Sequence, residues 1–261
     1  MLSVGGISVV LGVLNEEDNV QELLDSFDRI ISENNLHSIN ELVFVDDGST
    51  DSTKEIIRRS MNSGHSYRIK LVERWQKMGM VNACITGSQQ ASNRTVIVMD
   101  SDLQHPLEAV PRMIEKSRGK SELIIASRYM KGGSNSWSPV RGVISRGAVF
   151  MSHIFLPATR GVKDPISGYF MTDVKYISCL FPYADSYKLA LYIMAANPSI
   201  SVEEVPFTMV DRERGSSKIV DKNFLFLLKY MMELIRYWRI SAKIYARIVL
   251  RDFTKADYNS H

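Results

Sequence analysis

Only two cysteines, Cys84 and Cys179, occur in 261 residues. They cannot build a disulfide framework or a cysteine metal site, and buried reduced thiols are expected at both positions. Long apolar runs are missing as well. The longest, Leu189–Ala196, is far below the ~18–20 residues that a bilayer-crossing helix needs, so the chain is not expected to span a membrane. The N-terminus lacks a basic start leading into an apolar core, so no signal peptide is expected. A net charge of only +3 gives no indication of nucleic-acid binding, and no such partner is expected. No G-x-G-x-x-G turn follows the first apolar run, which argues against a nicotinamide-dependent oxidoreductase. There is no internal repeat and no low-complexity segment. Hydrophobic and charged contents of 45% and 23% are ordinary globular values, which exclude general disorder.

What charge there is lies unevenly. Residues 212–251 hold ten lysines and arginines against three acids, Glu213, Asp221 and Glu233. The chain therefore reads as a domain over residues 1–220 followed by a basic amphipathic tail over 221–261. In the tail a dense apolar cluster from Phe224 to Met232 precedes basic residues spaced among Tyr230, Tyr237 and Trp238. Such a helix can lie in the headgroup region of a membrane, its basic side chains on lipid phosphates, with aromatics of the kind favoured at that boundary. The alternative is an ordinary helix packed on the core with a solvated basic face. A helix over 140–155 is a second candidate for membrane contact.

In the first half, strands and helices alternate. Short β-branched runs predict strands at 7–14, 41–45, 69–72, 95–99 and 123–126. Between them, helices are predicted at 17–32, after an N-cap at Asp51, at 80–91 and after Pro106. Alternation at short loop lengths calls for a mostly parallel sheet with helices on both faces. Beyond Tyr129 the pattern weakens, and 131–139, rich in Gly and Ser, reads as a long flexible loop. In sheets of this kind ligands collect beyond the carboxyl ends of the strands. Two acidic motifs fall there: Asp46-Asp47-Gly48-Ser49 after the second strand and Asp100-Ser101-Asp102 after the fourth. Two carboxylates one residue apart can share a divalent cation, which would bridge to a diphosphate and neutralise a departing leaving group. A carboxylate in the earlier turn can accept hydrogen bonds from a nucleobase or ribose. His105 follows Gln104, but hard cations favour oxygen, so this histidine is expected to orient the turn.

The ordered set V-D-D-G-S-T-D-x-T at 45–53, D-x-D-L-Q-H-P at 100–106, Ser127-Arg128-Tyr129 and D-P-I-S-G-Y-F at 164–170 resembles dolichyl-phosphate mannose synthases. The likeness continues through Tyr187-Lys188-Leu189, Glu204-Val205-Pro206 and Arg212-x-x-Gly215-x-Ser217-Lys218, and covers roughly residues 7–220. It implies a GT-A type α/β fold and an inverting, metal-dependent family 2 glycosyltransferase. By that resemblance Asp46 and Asp47, with Asn15 and Glu16 nearby, would contact the donor nucleoside. Asp100, Asp102 and Gln104 would hold Mg²⁺ or Mn²⁺ and the diphosphate, Asp102 being counted with the catalytic residues. Arg128, Arg141 and Ser145 would grip the acceptor phosphate, and Arg212, Ser217 and Lys218 would close over the donor. The implied donor is GDP-mannose, with UDP-glucose as its close rival, and the acceptor is dolichyl or polyprenyl phosphate. The implied location is peripheral, on the cytoplasmic face of a membrane, directly or through a small membrane-spanning partner.

Residue chemistry agrees independently. Guanidinium groups bind phosphate through forked, charge-assisted bonds. A phosphate monoester is already an anionic nucleophile, so positioning and electrostatic stabilisation can carry the reaction without a dedicated base. Three departures all touch the donor side. The first strand ends in Gly12-Val13-Leu14-Asn15-Glu16 rather than the usual Pro-x-Tyr-Asn-Glu, Val81 replaces a second glycine, and Ser216 stands where an acid is common. A degenerate, non-catalytic scaffold is the competing class. Asp100, Asp102, Arg128, Arg141 and Arg212 argue against it, since drift would have damaged several of them.

Overall fold

A computed structural model of the chain describes residues 2, 5–75, 77–137, 139–178, 188–210, 229–244 and 246. The alternation expected of the first half is present. β1 (Ile7–Val13), α1 (Glu17–Asn34), β2 (Ile39–Asp46), α2 (Thr53–Ser60), β3 (Arg68–Glu73), α3 (Met80–Gln90), β4 (Thr95–Asp100), α4 (Ala109–Ser117) and β5 (Leu123–Ser127) follow one another. Every residue of β1 is buried, as a strand covered on both faces requires. Because side chains alternate along a strand, Val9, Leu11, Leu42, Phe44, Ile97 and Met99 join one core with α1 and α4. Val10, Val43, Val45, Val96 and Val98 join the other, with α3. Cys84 lies in that second core, where burial pushes its thiol up to about 12 and leaves it inert. Cys179 lies outside the described residues.

β3, β2, β1 and β4 are parallel neighbours, and their register pairs Val13 with Asp46 and Gly12 with Asp100. Both acidic motifs therefore leave the sheet at one edge. The periodicity did not reveal β7 (Phe170–Asp173), which inserts antiparallel between β4 and β5. β8 (Val202–Pro206) closes the seven-stranded sheet beside β5. The expected loop at 131–139 is corrected in part: Ser134–Asn135 forms β6 and pairs with β9 (Thr208–Met209), tying the segment after β5 to the end of β8. The N-cap of α2 is Ser52, not Asp51; the Asp51 carboxylate instead accepts the Thr53 N–H and hydroxyl.

Three helices complete the second half: α5 (Pro139–Phe155), α6 (Val174–Ser178) and α7 (Leu189–Ala196). Residues 229–244 form a further helix, α8. Tyr230, Leu234 and Tyr237 of α8 are buried in the second core. The Tyr230 hydroxyl donates to Ala148 O (3.0 Å) and bonds Ser152 Oγ (2.6 Å) on α5. Tyr237 stacks on Tyr192 of α7 with centroids 5.1 Å apart. α8 thus packs on the domain along one face. No described helix is long and apolar enough to cross a membrane.

Candidate active site

The turn after β2 is held by its own carboxylates. Asp46, fully buried, accepts the N–H groups of Gly48 (3.1 Å) and Ser49. Asp47 reaches across to the next loop and accepts Met78 N–H (2.9 Å) and Gly79 N–H (2.8 Å). Asn15, at φ 52°, gives its N–H to Ser49 Oγ and accepts Thr50 N–H (2.8 Å). Glu16 accepts the Asn19 side-chain amide (2.7 Å), and its N–H goes to Thr53 Oγ1. These four residues therefore stand together, each fixing backbone at the carboxyl edge of β1 and β2.

One residue absent from the sequence expectations joins them. Arg74, directly after β3, has a side chain only 8% exposed, and its Nη1 lies 3.4 Å from Asp47 Oδ1. That nitrogen is buried and has no hydrogen-bond partner among the described residues. A buried, unsatisfied donor costs about 1–3 kcal/mol, a penalty that a bound acceptor atom would remove. Its only sequence signal was an arginine at a strand end.

Gly12, the first departure, also has a structural reason. A Cβ there would meet Met80 Sδ at 2.4 Å. Met80 of α3 occupies the space that a larger residue at position 12 would need, so the two positions fit each other.

The D-x-D turn is built from strained and shared parts. Leu103 adopts φ 62°, a left-handed conformation that costs a branched residue roughly 1–2 kcal/mol. Asp102, buried, accepts Gln104 N–H (3.1 Å), and Ser101 Oγ donates to Gly12 O (2.8 Å). The Gln104 amide nitrogen donates to Val210 O (3.2 Å). His105 behaves as a turn-orienting residue. Its Nδ1 accepts Asp100 N–H at 3.0 Å, its Nε2 lies 3.7 Å from the Asp100 carboxylate, and its ring stacks on Tyr169 at 5.0 Å. Burial lowers its pKa, although Asp100 and Asp102 oppose that shift, so the ring stays neutral. Tyr169, from the D-P-I-S-G-Y-F motif, donates its hydroxyl to Pro106 O and locks the turn from below.

A divalent cation suits this turn. The Asp100 side chain is 37% exposed, and hard cations such as Mg²⁺ are often held by one or two carboxylates plus substrate phosphates. No group of three or more His, Cys, Asp or Glu able to hold a metal exists among the described residues. A groove of about 420 Å³ reaches Asp102 and Leu103 from the α1 side, lined also by Asn19, Leu23, Glu108 and Val210.

Across the edge, Arg128 follows β5 and is buried against Asp164, which is fully buried. Nε and Nη2 form a fork onto its two oxygens (2.8 and 2.8 Å), and Arg128 N–H adds a third bond (3.0 Å). Burial alone would lower the guanidinium pKa, but Asp164 outweighs it and raises it. Glu204 of β8 in turn accepts the N–H groups of Lys163 and Asp164. The described contacts leave Nη1 of Arg128 outside this network.

Trp137 organises the rest. The Arg128 guanidinium carbon lies 4.7 Å from its ring centroid and that of Arg141 4.4 Å, a cation–π arrangement that brings two cations to one indole. Tyr129, beside Arg128, donates its hydroxyl to Ser145 Oγ (2.8 Å) on α5. Arg128, Arg141 and Ser145 are thus gathered by two aromatic residues. Arg212, Ser217 and Lys218 lie outside the described residues.

Residues 8–181 match the family described as glycosyl transferase family 2. The chain belongs to that family. This glycosyltransferase is 36% identical over 233 residues to the dolichol-phosphate mannosyltransferase of Pyrococcus furiosus, a match covering 88% of this chain and 64% of that protein. It therefore spans less than two thirds of that relative's length. It is 31% identical to the dolichol-phosphate mannosyltransferase of Saccharomyces cerevisiae over 74% of each chain. In fold it is similar to glucosyl-3-phosphoglycerate synthase from Mycobacterium tuberculosis. The complex of that enzyme with Mn²⁺, UDP-glucose and phosphoglyceric acid superposes at a TM-score of 0.64 and 22% identity, covering 90% of this chain and 80% of that one. Its complex with Mg²⁺ and UDP gives 0.64 at 20% identity, covering 88% and 79%. The likeness is one of fold, a GT-A type α/β domain, carried in this chain by its seven-stranded sheet.

Proposed function

We propose that this glycosyltransferase transfers one mannose from GDP-mannose to dolichyl or polyprenyl phosphate, with inversion at the anomeric carbon. The observation that carries the acceptor assignment is the Trp137 platform, which holds Arg128 and Arg141 within 4.7 and 4.4 Å of one ring, with Ser145 joined through Tyr129. A phosphate monoester needs several charge-assisted donors converging on one point, and guanidinium groups provide them. The donor base is assigned to the corner of Asn15, Glu16, Asp46, Asp47 and Arg74, where the buried Nη1 of Arg74 awaits an acceptor such as a base carbonyl. Arg212, Ser217 and Lys218 are assigned to the donor diphosphate.

Asp100 and Asp102, with Gln104, would hold Mg²⁺ or Mn²⁺, which when bound neutralises the departing nucleoside diphosphate. Arg128 and Arg141 orient the acceptor phosphate, whose oxygen attacks the anomeric carbon as the bond to the diphosphate breaks on the opposite side. The phosphate reacts as an anion, so no protein base removes a proton. His105, neutral and buried, holds the Asp100 backbone rather than moving a proton.

A membrane surface is the proposed setting, with α8 and the rest of the tail as an appendage to the catalytic domain. On α5, Val143, Phe150 and Ile154 are 72%, 63% and 50% exposed and recur with Gly147 at helical spacing, opposite the buried Ala148 and Ser152. On α8, Met232 and Trp238 are 63% and 51% exposed, interleaved with Arg239 and Lys243. Outward apolar side chains among basic ones suit the headgroup region of a bilayer. Arg141 and Ser145 stand on the same α5, which would bring a lipid-linked phosphate to the pocket while its chain stays in the membrane.

The test offers radiolabelled GDP-mannose or UDP-glucose with a polyprenyl phosphate and Mn²⁺, followed by lipid extraction. Label from GDP-mannose in the organic phase, lost with EDTA, is expected. Label from UDP-glucose alone would replace the donor while keeping the acceptor, and label from neither would remove the reading.

A further inference from the structure

The donor corner and the D-x-D turn leave the sheet from different strands. Asp46 and Asp47 stand at the end of β2, Asp100 ends β4, and β1 lies between them. Two strand spacings, about 9–10 Å, therefore separate the motifs, a span comparable to the length of a nucleoside. A ligand with its base at Asp47 and Arg74 and its diphosphate at Asp100 must cross the end of β1. The crossing falls at Gly12, which pairs with Val45 on one side and Asp100 on the other. Val10 faces α3, so by alternation Gly12 does as well.

What lies at that crossing is a thioether. Met80 is the first residue of α3, and Asp47 fixes the start of that helix by accepting Met78 and Gly79 N–H. The Met80 side chain folds back onto β1, where a Cβ built at Gly12 would overlap its Sδ and stand 3.3 Å from its Cε. The missing side chain of Gly12 is thus the seat for this sulfur. Met80 is nonetheless 44% exposed, so one surface rests on the strand and another is open. The same loop carries Trp75, fully exposed, and Met78, 51% exposed. Beside them Arg74 is buried, its Nη1 without a hydrogen-bond partner among the described residues. Apolar surface around a few fixed polar groups is how sites for small organic ligands are built, and a thioether sulfur makes favourable contacts with aromatic rings.

We propose that the Met80 thioether, seated on Gly12, is the surface against which the donor nucleoside lies. The inference rests on the donor-corner reading above. Asp47 and Arg74 meet the edge of the base, Asp100 and its turn meet the diphosphate, and Met80 underlies what joins them. A side chain at position 12 would evict the sulfur from this place, which gives the glycine a role in binding as well as in packing.

The full chain is titrated calorimetrically with GDP and with UDP in the presence of Mn²⁺, and with pyrophosphate as the ligand that lacks a nucleoside. The tighter nucleotide carries the comparison. Met80→Ala and Gly12→Ala are each expected to weaken that nucleotide about fivefold and to leave pyrophosphate within about twofold. Met80→Leu, which keeps an apolar surface of similar volume, should recover most of the loss, and the double variant should be no weaker than Met80→Ala alone. A second readout needs no substitution. Hydrogen peroxide converts an exposed thioether to its sulfoxide, one peroxide oxygen passing to sulfur and the other leaving as water. Bound nucleotide is expected to slow that reaction at Met80, while Met61, 47% exposed at the end of α2, reacts at an unchanged rate; mass spectrometry follows both. Nucleotide affinity unmoved in Met80→Ala, an equal loss of pyrophosphate, or Met80 oxidised as fast with nucleotide as without overturns the inference and leaves the donor corner standing. A wild type indifferent to both nucleotides removes the donor-corner reading and the inference with it.

Discussion

The two halves of the carboxyl edge are built differently. On the β1–β3 side, short polar residues tie down backbone close to themselves or in the adjoining loop: Asp46 in its own turn, Asp47 onto Met78 and Gly79, Asn15 onto Thr50. On the β5–α5 side, the long cationic side chains of Arg128 and Arg141 rest on Trp137, and Arg128 is also forked onto the buried Asp164. The first half is a hydrogen-bonded frame with one open donor, the buried Nη1 of Arg74. The second gathers the guanidinium groups of Arg128 and Arg141 beside outward-facing apolar side chains of α5.

Breaking the second half should cost most. Arg128→Ala leaves Asp164 buried without its cation and is expected to destabilise the fold by about 3–5 kcal/mol, read from urea unfolding. Arg141→Ala, at an exposed position on α5, is therefore the cleaner probe of the acceptor pocket: it should raise the acceptor KM with no loss of stability. Asp102→Asn keeps the turn's shape but removes a charge. It is expected to lower kcat roughly 100-fold with Tm nearly unchanged, and full activity would detach the D-x-D turn from catalysis.

The frame itself is tested at its far edge. Burial alone would raise the Glu41 carboxyl, but hydrogen bonds from Ser8, Ser92 and Arg68 outweigh it and hold it at about 2. A depressed carboxylate stabilises fully above its unfolded value of 4.5 and loses that contribution as pH falls toward 2. Glu41→Gln should cost on the order of 1.5–3 kcal/mol at neutral pH and flatten the acid limb of stability against pH. Gly12→Ala is expected to cost no more than about 1 kcal/mol, read from urea unfolding, because the Met80 side chain it crowds is 44% exposed and free to swing aside. Smallest in stability is the double change Val143→Ser and Phe150→Ser, within about 0.5 kcal/mol at exposed positions. Its sedimentation with anionic vesicles should nevertheless fall, and undiminished vesicle binding would assign that stripe to another partner.

How far these regions could be read from sequence follows the same division. β1, β2, β4 and the helices between them announced themselves because a strand buried on both faces is a continuous apolar run and an amphipathic helix repeats every 3.6 residues. The acidic motifs were legible because their residues are adjacent in the chain. β7 was hidden because an antiparallel insertion after an irregular stretch carries no periodic signature, and β6 because two residues are too few. Arg74 was missed since nothing local distinguishes a buried arginine from a solvated one. Trp137 and Asp164 were present in the sequence but joined to Arg128 only across nine and thirty-six positions of chain.

By itself, the order of residues determined the α/β alternation, the carboxyl-edge placement of Asp46 and Asp100, and the family, since each depends on neighbours along the chain. Tertiary structure alone decided which cation meets which acid, that Met80 packs against Gly12, and that α8 turns Glu233 inward while presenting Trp238 outward. Those outcomes depend on distance and dielectric between segments that only packing brings together.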